Sequence, residues 1–129
     1  MPELTFWTYI ITNFRKGTVY TGHTDDLHAR IEQHINGTYK GFSSRYGLKH
    51  LVWYEEFASR DEAFTRERRI KDWNRAWKLR LIEDTNPLWL DLHTVPLWPL
   101  PDPDMFPEAY ARCLEHRVDP GLRRDERRH

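Results

Sequence analysis

Two short runs of aromatic and β-branched residues near the start of the chain constrain its fold most. The first extends from Phe6 to Thr12 and the second from Thr18 to Gly22, and both compositions are typical of strands. Residues 13–17, between them, have the composition of a turn. We therefore predict a β-hairpin. Because a lone hairpin is only marginally stable in water, other parts of the chain must cover it.

The following residues predict helices and a third strand. Leu27, Ile31 and Ile35 recur every four residues, which predicts a helix with one buried stripe. Thr24 or Asp25 has the chemistry to cap its start. Further elements are predicted as a strand over 48–57 and helices over 61–73, 75–84 and 107–117. The order predicts an α+β domain with a small three-stranded sheet, mixed or antiparallel, flanked by helices.

The composition divides the chain near residue 93. Five prolines fall between residues 96 and 107, which is typical of a linker or an extended arm. We predict one domain over residues 1–92 and a Pro-rich C-terminal arm over 93–129. The charged end, residues 123–129, is expected to fray.

Bulk composition limits the class of protein. A chain of 129 residues that is 39% hydrophobic and 31% charged is enough for one soluble domain. No apolar run approaches the roughly 20 residues that span a bilayer. The start of the chain lacks the features of a signal peptide, and Cys113 is the only cysteine. We therefore expect a cytoplasmic protein with no disulfide and no cysteine zinc site.

The charge distribution is uneven, although the formal net charge is zero. A neutral chain argues mildly against binding to a phosphate backbone. Between residues 60 and 82, however, eight basic residues stand against four acidic ones, a local excess of +4. Charge alone leaves two interpretations open, a solvated helix face with ion pairs or a surface that steers nucleic acid.

One carboxylate falls where an apolar residue is expected. Glu67 lies four residues after Ala63 and three before Ile70, within or beside the apolar stripe of its helix. Burial of that charge requires a cation or several hydrogen bonds. Two interpretations fit, a salt bridge to Arg30, Arg66 or another base, or coordination of a hard divalent ion.

Two further pairs have chemistry suited to a site. Arg30 and His34 are neighbours at a spacing of four, and together they offer a phosphate grip and a proton acceptor or donor. Tyr9 and Tyr20 come from the two hairpin strands and can point into one site. Each pair also fits a plain structural role, as a solvated pair beside the core or as core phenols.

The order of these residues resembles that of a known family. Residues 7–9 (Trp-Thr-Tyr) and 20–22 (Tyr-Thr-Gly) are similar to the paired tripeptides that name the GIY-YIG nucleases. Arg30, His34 and Glu67 follow in the family's order. The resemblance spans residues 5–92 and is to the small stand-alone bacterial branch. The family also includes the N-terminal nuclease domain of a bacterial excision-repair protein.

The resemblance implies an endonuclease that hydrolyses phosphodiester bonds in DNA, in repair or recombination. Glu67 would hold a single Mg²⁺ or Mn²⁺, and Arg30 would clamp the scissile phosphate. Tyr20 or His34 would act as general base, and Tyr9 would position the phosphate or the water. A phenol needs a nearby cation to act as a base at neutral pH, and His23, Arg30 or the metal is expected to supply it. The implied supporting or substrate-binding residues are Gly22, His23, Lys40, Arg45 and Asn86.

The sequence departs from the family pattern at several positions. The first tripeptide keeps only its tyrosine, and His23 stands where some members carry lysine. His23 therefore either tunes Tyr20 or is a bystander. Asn86 matches either a late asparagine that some members use near the metal or a plain Asn-Pro turn.

Two other functions also fit the sequence. One is a non-catalytic nucleic-acid-binding module on the same fold. The other is an interaction protein that docks a partner through its Pro-rich arm and four tryptophans, namely Trp73, Trp77, Trp89 and Trp98. The substrate is expected to be structured or branched DNA, and RNA fits the same residues.

Overall fold

Three strands form one antiparallel sheet with the first strand in its centre. The computed structural model describes residues 5–38, 41 and 45–118. The strands are β1 (Phe6–Thr12), β2 (Val19–Thr24) and β3 (His50–Phe57). The spatial order is β2-β1-β3, so β2 and β3 form the edges of the sheet among the described residues. The predicted α+β class is confirmed, and the sheet is antiparallel rather than mixed.

Four helices occur in the described residues. They are α1 (Leu27–Asn36), α2 (Arg60–Asp72), α3 (Arg75–Thr85) and α4 (Pro107–Leu114). Asp26 caps α1 by accepting a hydrogen bond from the backbone N–H of Ala29 at 3.1 Å, so neither Thr24 nor Asp25 is the cap. The Thr24 hydroxyl instead accepts from the N–H of Asp26, which holds the turn that precedes the helix. None of the described helices is long and apolar enough to cross a membrane.

The two faces of the sheet are covered by different helices. Tyr9 and Ile11 pack in one apolar cluster with Ile31 of α1. Ile10 packs in a second cluster with Ile70 of α2, on the other face. The alternation of side chains along β1 produces this division, because successive residues of a strand point to opposite faces.

The described part of the predicted arm packs against the rest of the chain. Val118 is 5% exposed, lies in the apolar cluster with Trp89, and donates its N–H to the Trp89 carbonyl oxygen at 2.7 Å. Its own carbonyl accepts the N–H of Arg15, and Cys113 of α4 is buried. Residues 119–129, which include the charged end, lie outside the described residues. Trp89 is fully buried, so it belongs to the core and not to a docking surface.

Candidate active site

Two tyrosines and a histidine meet on the face of the sheet that α1 covers. Tyr9 pairs with Gly22, and Ile11 pairs with Tyr20, so both phenols lie on this face. The Tyr9 hydroxyl and Nε2 of His34 share a hydrogen bond of 3.0 Å. The His34 ring lies 5.7 Å from the Tyr9 ring and 5.8 Å from the Tyr20 ring, measured between centroids. The sequence therefore brings the hairpin phenols and the helix imidazole into one cluster.

His34 is held in its neutral form. The side chain is almost completely buried, with 2% of its surface exposed. This burial, and secondarily the nearby Arg30 guanidinium, lowers the pKa of His34 to about 4. At neutral pH the imidazole is therefore uncharged, and Nε2 is already engaged by the Tyr9 hydroxyl.

Gly22 allows the Tyr9 phenol to lie against the β2 backbone. A Cβ atom built on Gly22 would stand 2.6 Å from the Tyr9 oxygen and 2.8 Å from its Cζ atom. It would also stand 3.1 Å from the Tyr20 ring. Real Cβ atoms do not approach neighbours below 3.0 Å, so only glycine fits between the two phenols as they are placed here.

Glu67 is a buried carboxylate on α2, and its residue surface is 7% exposed. Its Oε1 lies 2.5 Å from Nδ1 of His23, and its Oε2 lies 2.5 Å from Nζ of Lys71. The sequence had suggested Arg30, Arg66 or another base as salt-bridge partner, and the structure places Lys71 there. Arg66 is paired with Glu55 at 2.9 Å.

Lys71 joins the acidic part of the site to the phenols. Its ammonium lies 5.4 Å from the centre of the Tyr20 ring while it is paired with Glu67. Sequence reasoning missed this residue. The available signal was its spacing of four from Glu67, which makes the two side chains neighbours on a helix. His23 contacts the carboxylate directly. Its ring also packs against the Phe64 ring in a T-shaped arrangement.

Arg30 lies on α1, four residues before His34. Its Nε donates a hydrogen bond to Oε1 of Gln33 at 3.1 Å, and the residue is half-buried. Arg30 and His34 are neighbours on α1 at a spacing of four, and the guanidinium charge contributes, after burial, to the lowered pKa of His34.

Asn86 is tied to the backbone. Its Nδ2 donates to the carbonyl oxygens of Val52 and Leu90 at 3.0 Å each, and its Oδ1 accepts from the Leu90 N–H at 2.9 Å. Both amide N–H groups are used, and the residue is fully buried. These bonds account for an asparagine here by joining the end of α3 to β3 and to residue 90.

The remaining predicted residues are Lys40 and Arg45. Lys40 lies outside the described residues. Arg45 is exposed, and its backbone N–H donates to the Gly41 carbonyl oxygen. The basic surface predicted over residues 60–82 is partly neutralised, since Arg60 pairs with Asp25 at 3.0 Å and Arg66 with Glu55.

The Glu67 carboxylate fits a single divalent ion. A buried carboxylate requires a neighbouring positive charge, and the ammonium of Lys71 supplies it here. The Lys71 side chain is 44% exposed, so it has room to leave and make way for a harder cation. Mg²⁺ and Mn²⁺ prefer oxygen ligands, and Mg²⁺ keeps several waters, so one carboxylate is a sufficient anchor beside a bound phosphate.

The phenols, imidazole, guanidinium and buried carboxylate that the family resemblance implied lie on one small α+β scaffold and make up a candidate nuclease-type site. The chain belongs to the GIY-YIG family, since the family model for the GIY-YIG catalytic domain matches residues 5–80. Among the predicted site residues, only Asn86 falls outside that match. The family resemblance predicted from the tripeptides together with the order of Arg30, His34 and Glu67 is thereby confirmed.

The chain is also similar to bacterial proteins named UPF0213. The UPF0213 proteins of Staphylococcus aureus strains N315 and COL are each 38% identical over 68 residues, which is 53% of this chain and 83% of the relative. The solution NMR structure of a UPF0213 protein from Bacillus halodurans is 29% identical and covers 64% of this chain and 87% of that one, with a TM-score of 0.42. Membership places the chain in a nuclease-type family that acts on nucleic acid and is generally metal-dependent.

Proposed function

We propose that this chain is an endonuclease that hydrolyses phosphodiester bonds in structured or branched DNA with one Mg²⁺ or Mn²⁺, in repair or recombination. The observation that carries the proposal is the meeting of Glu67 with the phenol cluster through Lys71. This ammonium pairs with the carboxylate and lies over the Tyr20 ring. The acid and the phenols therefore belong to one site.

The acid of this site holds the ion, and the guanidinium holds the substrate. Glu67 binds the cation through its carboxylate, oriented by the hydrogen bond from His23. The bound ion would polarise a phosphate oxygen and neutralise developing negative charge. Arg30 donates its guanidinium N–H groups to the non-bridging oxygens of the scissile phosphate.

The general base that activates the attacking water comes from the phenol cluster. Tyr20 in its phenolate form accepts at Oη a proton of the water that attacks phosphorus, and the Lys71 ammonium over its ring favours that form. The bond from phosphorus to the leaving oxygen breaks, and the bound ion would neutralise the negative charge on that oxygen. His34 is a weak base because its pKa is lowered to about 4, and Nε2 is bonded to Tyr9. We therefore assign proton acceptance to Tyr20, and His34 fixes the Tyr9 phenol in the buried wall of the site through their hydrogen bond.

Cleavage of nicked and branched DNA with Mg²⁺ or Mn²⁺ tests the metal assignment. We expect Glu67→Gln to abolish metal-dependent cleavage, because the amide cannot neutralise a divalent ion. Glu62→Gln is the matched control, since Glu62 is an exposed acid on the same helix. Cleavage by Glu67→Gln at the wild-type rate would refute the single-ion assignment.

The same assay tests Arg30. Arg30→Ala is expected to lose about 100-fold or more in rate, the size typical of losing an electrostatic clamp in a transition state. Arg68→Ala is the control, because Arg68 is an exposed arginine that stacks on Phe64 of its own helix. A loss below about threefold would make Arg30 a structural residue.

One observation favours a non-catalytic nucleic-acid-binding module instead. Both oxygens of Glu67 already contact nitrogen atoms, from His23 and Lys71. Such a module would bind the same DNA substrates and leave them uncut with either ion. Parallel binding and cleavage measurements on one preparation distinguish the two functions, and the same experiment with RNA defines the substrate class.

A further inference from the structure

A second group of metal-ligating side chains lies on α1, away from the nuclease-type site. His28 and Glu32 are four residues apart and share a helix face, which is turned about 160° from Arg30 at 100° per residue. His93 approaches that face from the segment after α3. One ligand atom from each of the three residues lies within 4.8 Å of the other two.

The geometry of this group is close to that of a bound ion. Nε2 of His93 lies 2.9 Å from Oε2 of Glu32, and the rings of His28 and His93 are 4.9 Å apart with planes inclined at 37°. A tetrahedral Zn²⁺ with ligands at about 2.1 Å places ligand atoms about 3.4 Å apart. The distance of 2.9 Å between His93 and Glu32 is shorter than this value, and the limit of 4.8 Å for the whole group is longer. Side-chain rotations that move the ligand atoms by about 1 Å would therefore place them around one ion.

We propose that His28, Glu32 and His93 bind one Zn²⁺ ion, with a water as fourth ligand. Two imidazoles and a carboxylate are a donor set that suits Zn²⁺ and other borderline ions, whereas Mg²⁺ prefers oxygen ligands alone. This site therefore selects a different metal from the Glu67 site, and it stands whether or not the chain is a nuclease.

The rest of the fold holds His93 in position. Its side chain is 11% exposed, and its backbone N–H donates to Oδ1 of Asp91 at 3.1 Å. Oδ2 of Asp91 lies 2.8 Å from Nδ1 of His50 on β3, and the Leu92 N–H donates to the Leu51 carbonyl oxygen. One ligand is thus anchored to the sheet, while His28 and Glu32 are accessible and free to adjust.

The ion would connect two parts of the chain that are far apart in sequence. It joins α1 to the segment that follows α3, next to an open hollow of about 280 Å³ bordered by His28, His93 and Tyr54. Binding to the folded state alone raises its stability by mass action. We expect the bound ion to hold α1 against the segment that carries His93. Solvent reaches the ion through the hollow.

Calorimetric titration of the untagged full-length chain with ZnCl₂ tests the proposal. We expect one ion per chain, and a rise in Tm of about 10 °C at a hundred-fold excess of free ion over Kd. His93→Gln is expected to weaken binding by about 100-fold or more, as is His28→Ala, a change at an exposed position that leaves the apo Tm unchanged. Co²⁺ should give the visible absorption of a tetrahedral site in the wild type and lose it in both variants.

Two controls define the location of the ion. His116→Gln removes a histidine that bonds Thr94 outside the group, and Glu67→Gln removes the carboxylate of the nuclease-type site. Both variants should bind Zn²⁺ as the wild type does. Unchanged Zn²⁺ binding in His93→Gln and His28→Ala, or loss of Zn²⁺ binding in Glu67→Gln, would each overturn the proposal.

Discussion

Gly22→Ala is the sharpest test of the phenol cluster, because a single methyl group is placed between its two rings. The added Cβ would lie 2.6 Å from the Tyr9 oxygen and 3.1 Å from the Tyr20 ring. Carbon and oxygen atoms in ordinary contact are about 3.4 Å apart, so the Tyr9 oxygen must retreat by about 0.8 Å. The phenol has little room to do so, since Tyr9 is fully buried and its hydroxyl is bonded to His34.

The size of the effect follows from this displacement. Overpacking a filled core typically costs about 1–3 kcal/mol of folding free energy. Loss of the buried bond between Tyr9 and His34 adds about 1 kcal/mol or more. Misplacing a catalytic group by about 1 Å costs about 100-fold in rate. We therefore expect the variant to fold with a free energy of unfolding lower by about 2–4 kcal/mol, and to cleave DNA about 100-fold more slowly.

Urea denaturation and the cleavage assay measure the two effects separately. Tyr9→Phe in the Gly22→Ala background provides an internal check, because it removes the oxygen that meets the methyl group at 2.6 Å. The double variant should therefore lose less stability than the sum of the single variants, by about 1 kcal/mol. A Gly22→Ala variant with wild-type stability and rate would show that the Tyr9 phenol does not lie against the β2 backbone.

Three further outcomes are expected from the same structure. The pKa of His34 is about 4 in the folded chain and about 6.5 when unfolded, so its contribution to stability is complete above pH 6.5 and declines as the pH falls toward 4. Urea titrations should show that the free energy of unfolding falls by about 3 kcal/mol at pH 4, and that this decrease is absent in His34→Gln. Asn86→Ala removes three buried hydrogen bonds and should lower the free energy of unfolding by about 3 kcal/mol while Mg²⁺ binding stays unchanged; loss of Mg²⁺ binding would instead give Asn86 a role near the metal. Val118→Asp buries a charge in the cluster with Trp89 and should lower the Tm by about 10 °C, whereas Leu97→Asp, at an exposed position, should change it little; equal effects would show that the C-terminal segment does not pack on the domain.

Local sequence pattern predicts the elements of this fold well. The strand predicted over Phe6–Thr12 coincides with β1. Ser59 caps α2 by accepting the N–H of Glu62, which is the bond that a serine three residues before a glutamate favours. The cap of α1 was displaced by one or two residues, because Thr24, Asp25 and Asp26 all have suitable oxygens and only the path of the chain selects Asp26. Local sequence thus predicts which helices and strands form, whereas several neighbouring hydrogen-bond acceptors make the first residue of a helix harder to predict.

The sequence does not predict the contacts between residues that are far apart along the chain. Nothing local in the sequence indicates that Val118 returns to pair with Trp89, because the two are separated by a Pro-rich stretch typical of an extended arm. The partners of Glu67 were similarly open, since several bases lie within reach on a helix or across a sheet. The family pattern orders the candidate site residues, but only the fold assigns Lys71 and His23 to the carboxylate.

The position of β2 at the edge of the sheet explains how one site draws on both faces. Tyr20 lies on the face that α1 covers, whereas His23 pairs with Thr8 and contacts Glu67 on the face that α2 covers. In a central strand these two side chains would be separated by the backbone of the neighbouring strands. At an edge, Lys71 extends past the strand and contacts both Glu67 and the Tyr20 ring. In the strand order β2-β1-β3, no strand pairs with the outer side of β2 among the described residues, so the Lys71 side chain contacts both partners at that edge.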